Sequence, residues 1–172
     1  MELTTATVGE GALILVIAAA GWATKQPLIF ASLGPTAYEL VQKPKDKSSK
    51  AYNIIVGHLV GLGAGFLAVY LLNAWQEPNV PLTGVVSALR VWAVVIAAVL
   101  TTLLTLLLRA AQPAATATAL LVALGSMQTK RDAVVMIIAV LLITAIGEPV
   151  RRVRMKLMQE VKQPAQVRSK AA

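Results

Sequence analysis

Six apolar runs follow one another in the order long, short, long, and then in that order again, within a chain of 172 residues. The first half has runs at about Val8 to Trp22, Pro27 to Val41 and about Ile54 to Leu72; the second has runs at about Val85 to Leu108, Pro113 to about Leu124 and about Ala133 to Ile146. So little polar sequence separates them that water cannot be the solvent for most of the chain. Hydrophobic residues make up 57% and charged residues 14%, with a mean hydropathy of +0.71, and a soluble domain of that composition would be covered in exposed apolar surface. Lipid offers no partner to an open backbone amide, so the runs are expected to be helices and the fold class an all-α membrane protein.

Run length then sets the topology. A hydrocarbon core of roughly 30 Å needs about 20 helical residues, and a run of about 15 rises only about 22 Å. The two short runs either re-enter, leaving four spans, or act as half-helices completed by an extended peptide, giving six. Charge discriminates. The loop from Lys43 to Lys50 holds four lysines, and the tail from Arg151 holds seven Lys or Arg against Glu160. Six segments put both basic stretches on one side, as cytoplasmic loops require, whereas four put them on opposite sides. The sequence thus predicts six membrane segments in two inverted three-span repeats, about 8–73 and about 85–149, two of the segments being short half-helices. Residues 1–149 are expected to form a single transmembrane domain and 150–172 a basic cytoplasmic tail, in a multi-pass protein of the cell inner membrane with both termini cytoplasmic. Val150, Val153, Leu157 and Val161 recur along one face among arginines, which predicts a C-terminal amphipathic helix lying on anionic membrane lipids.

A short phrase occurs at corresponding places in the two halves: Lys25-Gln26-Pro27 and Arg109-Ala110-Ala111-Gln112-Pro113, with the Gln-Pro pairs 86 residues apart. A polar break repeated in two hydrophobic halves is a pointer to a substrate site. Proline at the first helical position loses no useful hydrogen bond, so Pro27 and Pro113 are expected to open the short helices. Helix N-termini attract anions through their unpaired amides. Lys25 and Arg109 add formal charge there, Gln26 and Gln112 add amide donors, and Ser32 and Thr118 line the same depth. A small inorganic anion is the expected ligand. The plainer reading of each cation is a side chain snorkelling to the interface at the end of a span.

The remaining motifs narrow the function by exclusion. Cysteine is absent and His58 is the single histidine, which is too little for a metal site; no metal and no cofactor is expected. Nothing resembles a nucleophile elbow, a phosphate loop or a His-carboxylate cluster, so the chain is not expected to be an enzyme. A net charge of +8 concentrated beside apolar runs marks cytoplasmic loops and speaks against nucleic acid. Gly57, Gly61 and Gly65 make small-xxx-small steps, for close helix packing within the chain or between the subunits of a homo-oligomer. Glu39 and Glu148 sit near inner ends of spans, where solvation is the plain reading.

The stretch Phe30-Ala31-Ser32-Leu33-Gly34-Pro35-Thr36-Ala37, a basic loop, and then Asn53-Ile54-Ile55-Val56-Gly57-His58 resembles the HPP family of integral membrane proteins. The family's His-Pro-Pro-Ala-Gly-Ala-Thr-Ala-like motif falls on Ala111-Gln112-Pro113-Ala114-Ala115-Thr116-Ala117-Thr118, where only the second proline and the small-residue character remain. The resemblance implies functional segments at Asn53, Gly57 and His58 and at the Pro113 break with Thr116. Members of that family are associated with nitrite transport, so it also implies a transporter or channel for nitrite or a similar oxyanion. Two alternatives from other classes stay open: a noncatalytic membrane scaffold or sensor subunit that oligomerises and recruits a partner, and a cation or proton pathway through Glu39, His58 and Glu148.

Overall fold

The computed structural model describes residues 2–170, with side-chain environments for residues 4–158. Among these residues all regular structure is helical: α1 (Glu2–Thr24), α2 (Leu33–Gln42), α3 (Ala51–Leu71), a single turn α4 (Val80–Thr83), α5 (Ala88–Leu107), α6 (Pro113–Ala123) and α7 (Lys130–Lys170). Four stretches are long and apolar enough to cross a membrane: Thr4–Thr24, Ala51–Leu71, Ala88–Leu107 and Lys130–Met158. With α2 at 10 residues and α6 at 11, each short helix rises only about 15 Å.

The helix limits follow from local chemistry. Both α1 and α5 end in the same device: Lys25 (φ 53) and Arg109 (φ 52) are left-handed, and paired amides fold back on the last turn. Lys25 N–H donates to Trp22 O (3.3 Å) and Gln26 N–H to Gly21 O (3.1 Å); Arg109 N–H donates to Leu106 O (3.1 Å) and Ala110 N–H to Thr105 O (2.8 Å). These are Schellman caps. Ser87 caps α5, its Oγ accepting from Arg90 N–H at 3.2 Å. Thr129 and Asp132 form a reciprocal box that opens α7: Asp132 N–H donates to Thr129 Oγ1 (3.1 Å), and Thr129 N–H to Asp132 Oδ2 (2.9 Å).

Two expectations need correction. Pro113 does open α6, with Gln112 as its N-cap, but Pro27 opens nothing, because α2 begins six residues later at Leu33. The cause is Pro35. In a helix started at Pro27 it would lie in the interior, lacking the N–H owed to Ala31 and clashing with that carbonyl; started at Leu33, it falls in the first turn, where its missing donor is harmless. The basic tail is likewise no separate helix. α7 runs through Gly147 and Pro149 without interruption, and its turn at Arg154 packs on the bundle, with Arg154 Nε donating to Val41 O (3.3 Å) and Nη1 to Thr5 Oγ1 (3.1 Å). Val161 lies outside the residues whose side chains are described.

Contacts define two ends. At the first end, Arg151 Nη1 donates to Pro44 O (2.8 Å) and Gly9 approaches Val41, so the lysine loop, the start of α1 and residues 151–154 gather there. At the second end, Arg131 Nη2 donates to Gln26 Oε1 (3.0 Å), and the Arg90 guanidinium donates to Pro78 O (3.1 Å), Ala123 O (3.0 Å) and Glu77 O (2.8 Å). α3 is central, packed on α5, α6 and α7, while α2 packs on α1, α6 and α7.

Candidate functional site

The glycine steps of α3 are used inside the chain. A Cβ on Gly57 would lie 2.7 Å from Gln112 Cβ, one on Gly65 would lie 2.7 Å from Val122 Cβ, and one on Gly61 would run into the Ala115 carbonyl. Without side chains on that stripe, α6 lies directly on the α3 backbone. Asn53 extends the stripe by one turn, its Nδ2 donating to Ala111 O at 3.2 Å. Gly63 meets nothing within 4 Å and takes no part. An oligomer interface built on Gly57, Gly61 and Gly65 is therefore ruled out, since α6 of the same chain occupies it.

This close approach positions a buried polar seam where α2, α3 and α6 meet. His58, 1% exposed, joins the two short helices: its Nε2 lies 2.9 Å from Thr36 Oγ1 on α2 and its Nδ1 lies 2.6 Å from Thr118 Oγ1 on α6. Each threonine also has its own i−4 carbonyl at 3.3 Å, Ser32 O for Thr36 and Ala114 O for Thr118. A neutral imidazole donates to one hydroxyl and accepts from the other, whereas an imidazolium donates to both. The second carbonyls let both hydroxyls turn away when that happens. The bridge is satisfied in either protonation state.

Around His58 the seam is incompletely paired. Ser32 Oγ, Glu39 Oε2 and both side-chain polar atoms of Gln112 are buried without a hydrogen-bond partner, the Glu39 carboxyl lying beside the Gln112 carboxamide and the Ser48 hydroxyl. Buried polar groups are nearly always satisfied in folded proteins, so a cluster of exceptions marks a place for a polar ligand or water. At the second end a cavity of about 220 Å³ lies against α3 and α6, lined by Phe66, Trp75, Arg90, Val122, Gln128 and Thr129. Of its lining residues, Val122 lies on α6 one helical turn beyond Thr118.

The sequence-derived residues divide accordingly. Ser32, Asn53, Gly57, His58, Gln112 and Thr118 are buried together, and Thr116 is half-buried one turn from Gln112. Pro113 is exposed as the first residue of α6, and Pro27 is exposed in the loop after α1. Gln26 is held by Arg131, beside a cleft of about 460 Å³ that also includes Lys130 and Val134. Lys25 and Arg109 are exposed at opposite ends of the bundle. They cap the C-termini of α1 and α5, where a cation complements the helix dipole, and they do not meet at a shared pocket. Thr118 is linked through His58 to Thr36 of α2, and Ser32 stands one turn before Thr36. Thr36 is the seam residue that the sequence reading does not single out, although Ser32, Thr36 and Glu39 stand at i, i+4 and i+7 and so share one helical face; Glu39 enters that reading only through the proton-pathway alternative. Glu148 lies outside the seam, paired with Arg151 (2.8 Å) and Arg152 (2.9 Å).

Among the described residues no group of His, Cys, Asp or Glu is arranged to hold a metal ion. No curated protein and no solved structure matches the chain. The family model described as HPP, transmembrane region, matches residues 1–154; with its four membrane-length helices, the chain is a multi-pass membrane protein and belongs to that family.

Proposed function

We propose that the protein carries a small inorganic anion, nitrite or a similar oxyanion, through the seam between its two short helices. The observation that carries this reading is the Thr36–His58–Thr118 bridge with the unpaired Ser32 and Gln112 side chains beside it. Hydroxyl, imidazole and carboxamide N–H groups replace the water that a small anion sheds, and binding by neutral donors stays weak enough for release. Gln112 holds the N-cap of α6, whose unpaired amides favour negative charge. Lys25 and Arg109, exposed at the two ends, raise the local anion concentration without holding the ligand.

The contacts at the two ends support an inverted duplication. α1, α2 and α3 alternate in direction starting from the first end; α5, α6 and α7 alternate starting from the second. The α2 and α6 segments, each with its preceding break, then complete six membrane segments. The lysine loop and residues 151–154 share one end, and the positive-inside rule makes that end cytoplasmic.

Uptake into proteoliposomes of nitrite, nitrate, chloride, formate and sulfate tests the reading. Small monovalent anions are expected to enter and sulfate to be excluded. His58→Leu, which removes both hydrogen bonds of the bridge, is expected to lower uptake by about tenfold or more, equivalent to ~1.4 kcal/mol in the barrier. Lys25→Ala and Arg109→Ala are expected to lower it by less than His58→Leu. Unchanged uptake in folded His58→Leu protein would remove the seam from the pathway.

A further inference from the structure

We infer that the seam moves one proton with each anion and that Glu39 is the group that holds it. This rests on the anion reading above and adds its coupling. Glu39 is 7% exposed on α2, one turn from Thr36 and next to Gln112, so an anion leaving the bridge toward the lysine loop passes its carboxyl. An ionised carboxylate at that point repels the anion, and burial in low dielectric leaves the repulsion poorly screened.

The neighbours do not neutralise Glu39 as an ion pair. On its own helix and the following loop stand Lys43, Asp46 and Ser48; Ser49 Oγ donates to the Glu39 main-chain oxygen at 3.0 Å, not to its carboxylate. From α6 comes the uncharged Gln112, and from α3 comes His58, engaged by two threonines. From α7 come Arg151, held by Glu148 and Pro44 O, and Arg154, held by Val41 O and by Thr5 of α1. Among the described residues the ion pairs are Arg151–Glu148 and Arg152–Glu148; neither includes Glu39, whose carboxyl has the uncharged Ser48 hydroxyl and Gln112 carboxamide beside it.

Protonation resolves both problems. A neutral Glu39 no longer repels the anion, and its new O–H is a donor for the carboxamide oxygen of Gln112, which also lacks a partner. The carbonyls of Ser32 and Ala114 give both threonine hydroxyls a second acceptor, so the bridge would keep its hydrogen bonds if a proton passed through the imidazole with the anion. The proton bound at one mouth is released at the other, and the cycle returns Glu39 to its starting state.

Nitrate is the probe, because its conjugate acid is strong and nitrate does not cross lipid as a neutral acid. In proteoliposomes of the full chain, a pH gradient of one unit, acid outside, is expected to sustain about tenfold accumulation of nitrate, the equilibrium ratio for one proton per anion. Valinomycin-clamped potentials should leave that ratio unchanged. Glu39→Gln keeps shape and polarity but cannot titrate; it is expected to carry nitrate with no response to the pH gradient and to follow the clamped potential instead. Wild-type flux that follows potential and ignores pH overturns the coupling while leaving the anion reading intact. PH-driven accumulation persisting in Glu39→Gln moves the proton to another group and overturns the assignment. Wild-type protein that carries neither nitrate nor any other anion of the panel overturns the reading on which this one stands.

Discussion

Gly61→Val is expected to lower the stability of the bundle by about 3 kcal/mol or more, and to abolish uptake even in protein that remains folded. The reason lies in what the missing side chain makes room for. A Cβ at position 61 runs into the Ala115 carbonyl, which belongs to the backbone of α6 and cannot rotate away, with Thr118 Cβ a further 3.3 Å neighbour. Relief requires α6 to move off α3, and the same movement lengthens the 2.6 Å contact between His58 and Thr118. Gly63→Val supplies the control, since a Cβ there meets nothing within 4 Å. Thermal unfolding in detergent micelles followed by circular dichroism measures both variants. Equal unfolding temperatures for the two would show that α3 and α6 are not in direct backbone contact.

Arg90→Met is expected to cost about 3 kcal/mol. Arg90 is the largest fully buried side chain of the core, and it carries a charge. Its guanidinium holds carbonyls from the loop at Glu77 and Pro78 and from the last turn of α6 at Ala123. Methionine fills much of the volume and strands all three acceptors. Gly125 is built around the same group: at φ 85 it closes α6, and a Cβ there would lie 2.6 Å from Arg90 Nη2. Arg90→Lys retains the charge without the planar fork and is expected to recover only part of the loss. Micelle unfolding checks the series, and a lysine variant as stable as the parent would mean that charge, not geometry, is what the site requires.

How far the sequence foretells this molecule depends on the kind of signal. Apolar run length is a direct record of lipid contact, so the long helices and the short α6 are legible, and Pro113 marks a helix start because proline at the first helical position gives up no intrahelical hydrogen bond. Pro27 looks the same and misleads, because a helix started there would carry Pro35 in its interior at the cost of a hydrogen bond, whereas α2 holds Pro35 in its first turn. The repeated cations were recognised as a repeat, but their function as left-handed helix stops depends on backbone angles that a lysine or arginine rarely adopts. His58 was seen as a lone histidine. Its partners come from two helices 22 and 60 residues away in sequence, and no local pattern reports a contact of that kind. Ser32, Thr36 and Glu39 were the readable clue, a polar stripe through an otherwise apolar segment.

The unbroken course of α7 has a mechanical outcome. Gly147 is packed against Leu40, and Arg154 Nε donates to the carbonyl of Val41, so one continuous helix clasps the last turn of α2. A tilt of α7 imposed from the aqueous side would be felt first at Leu40 and Val41, and through them at Glu39, the residue next to Leu40 in the chain.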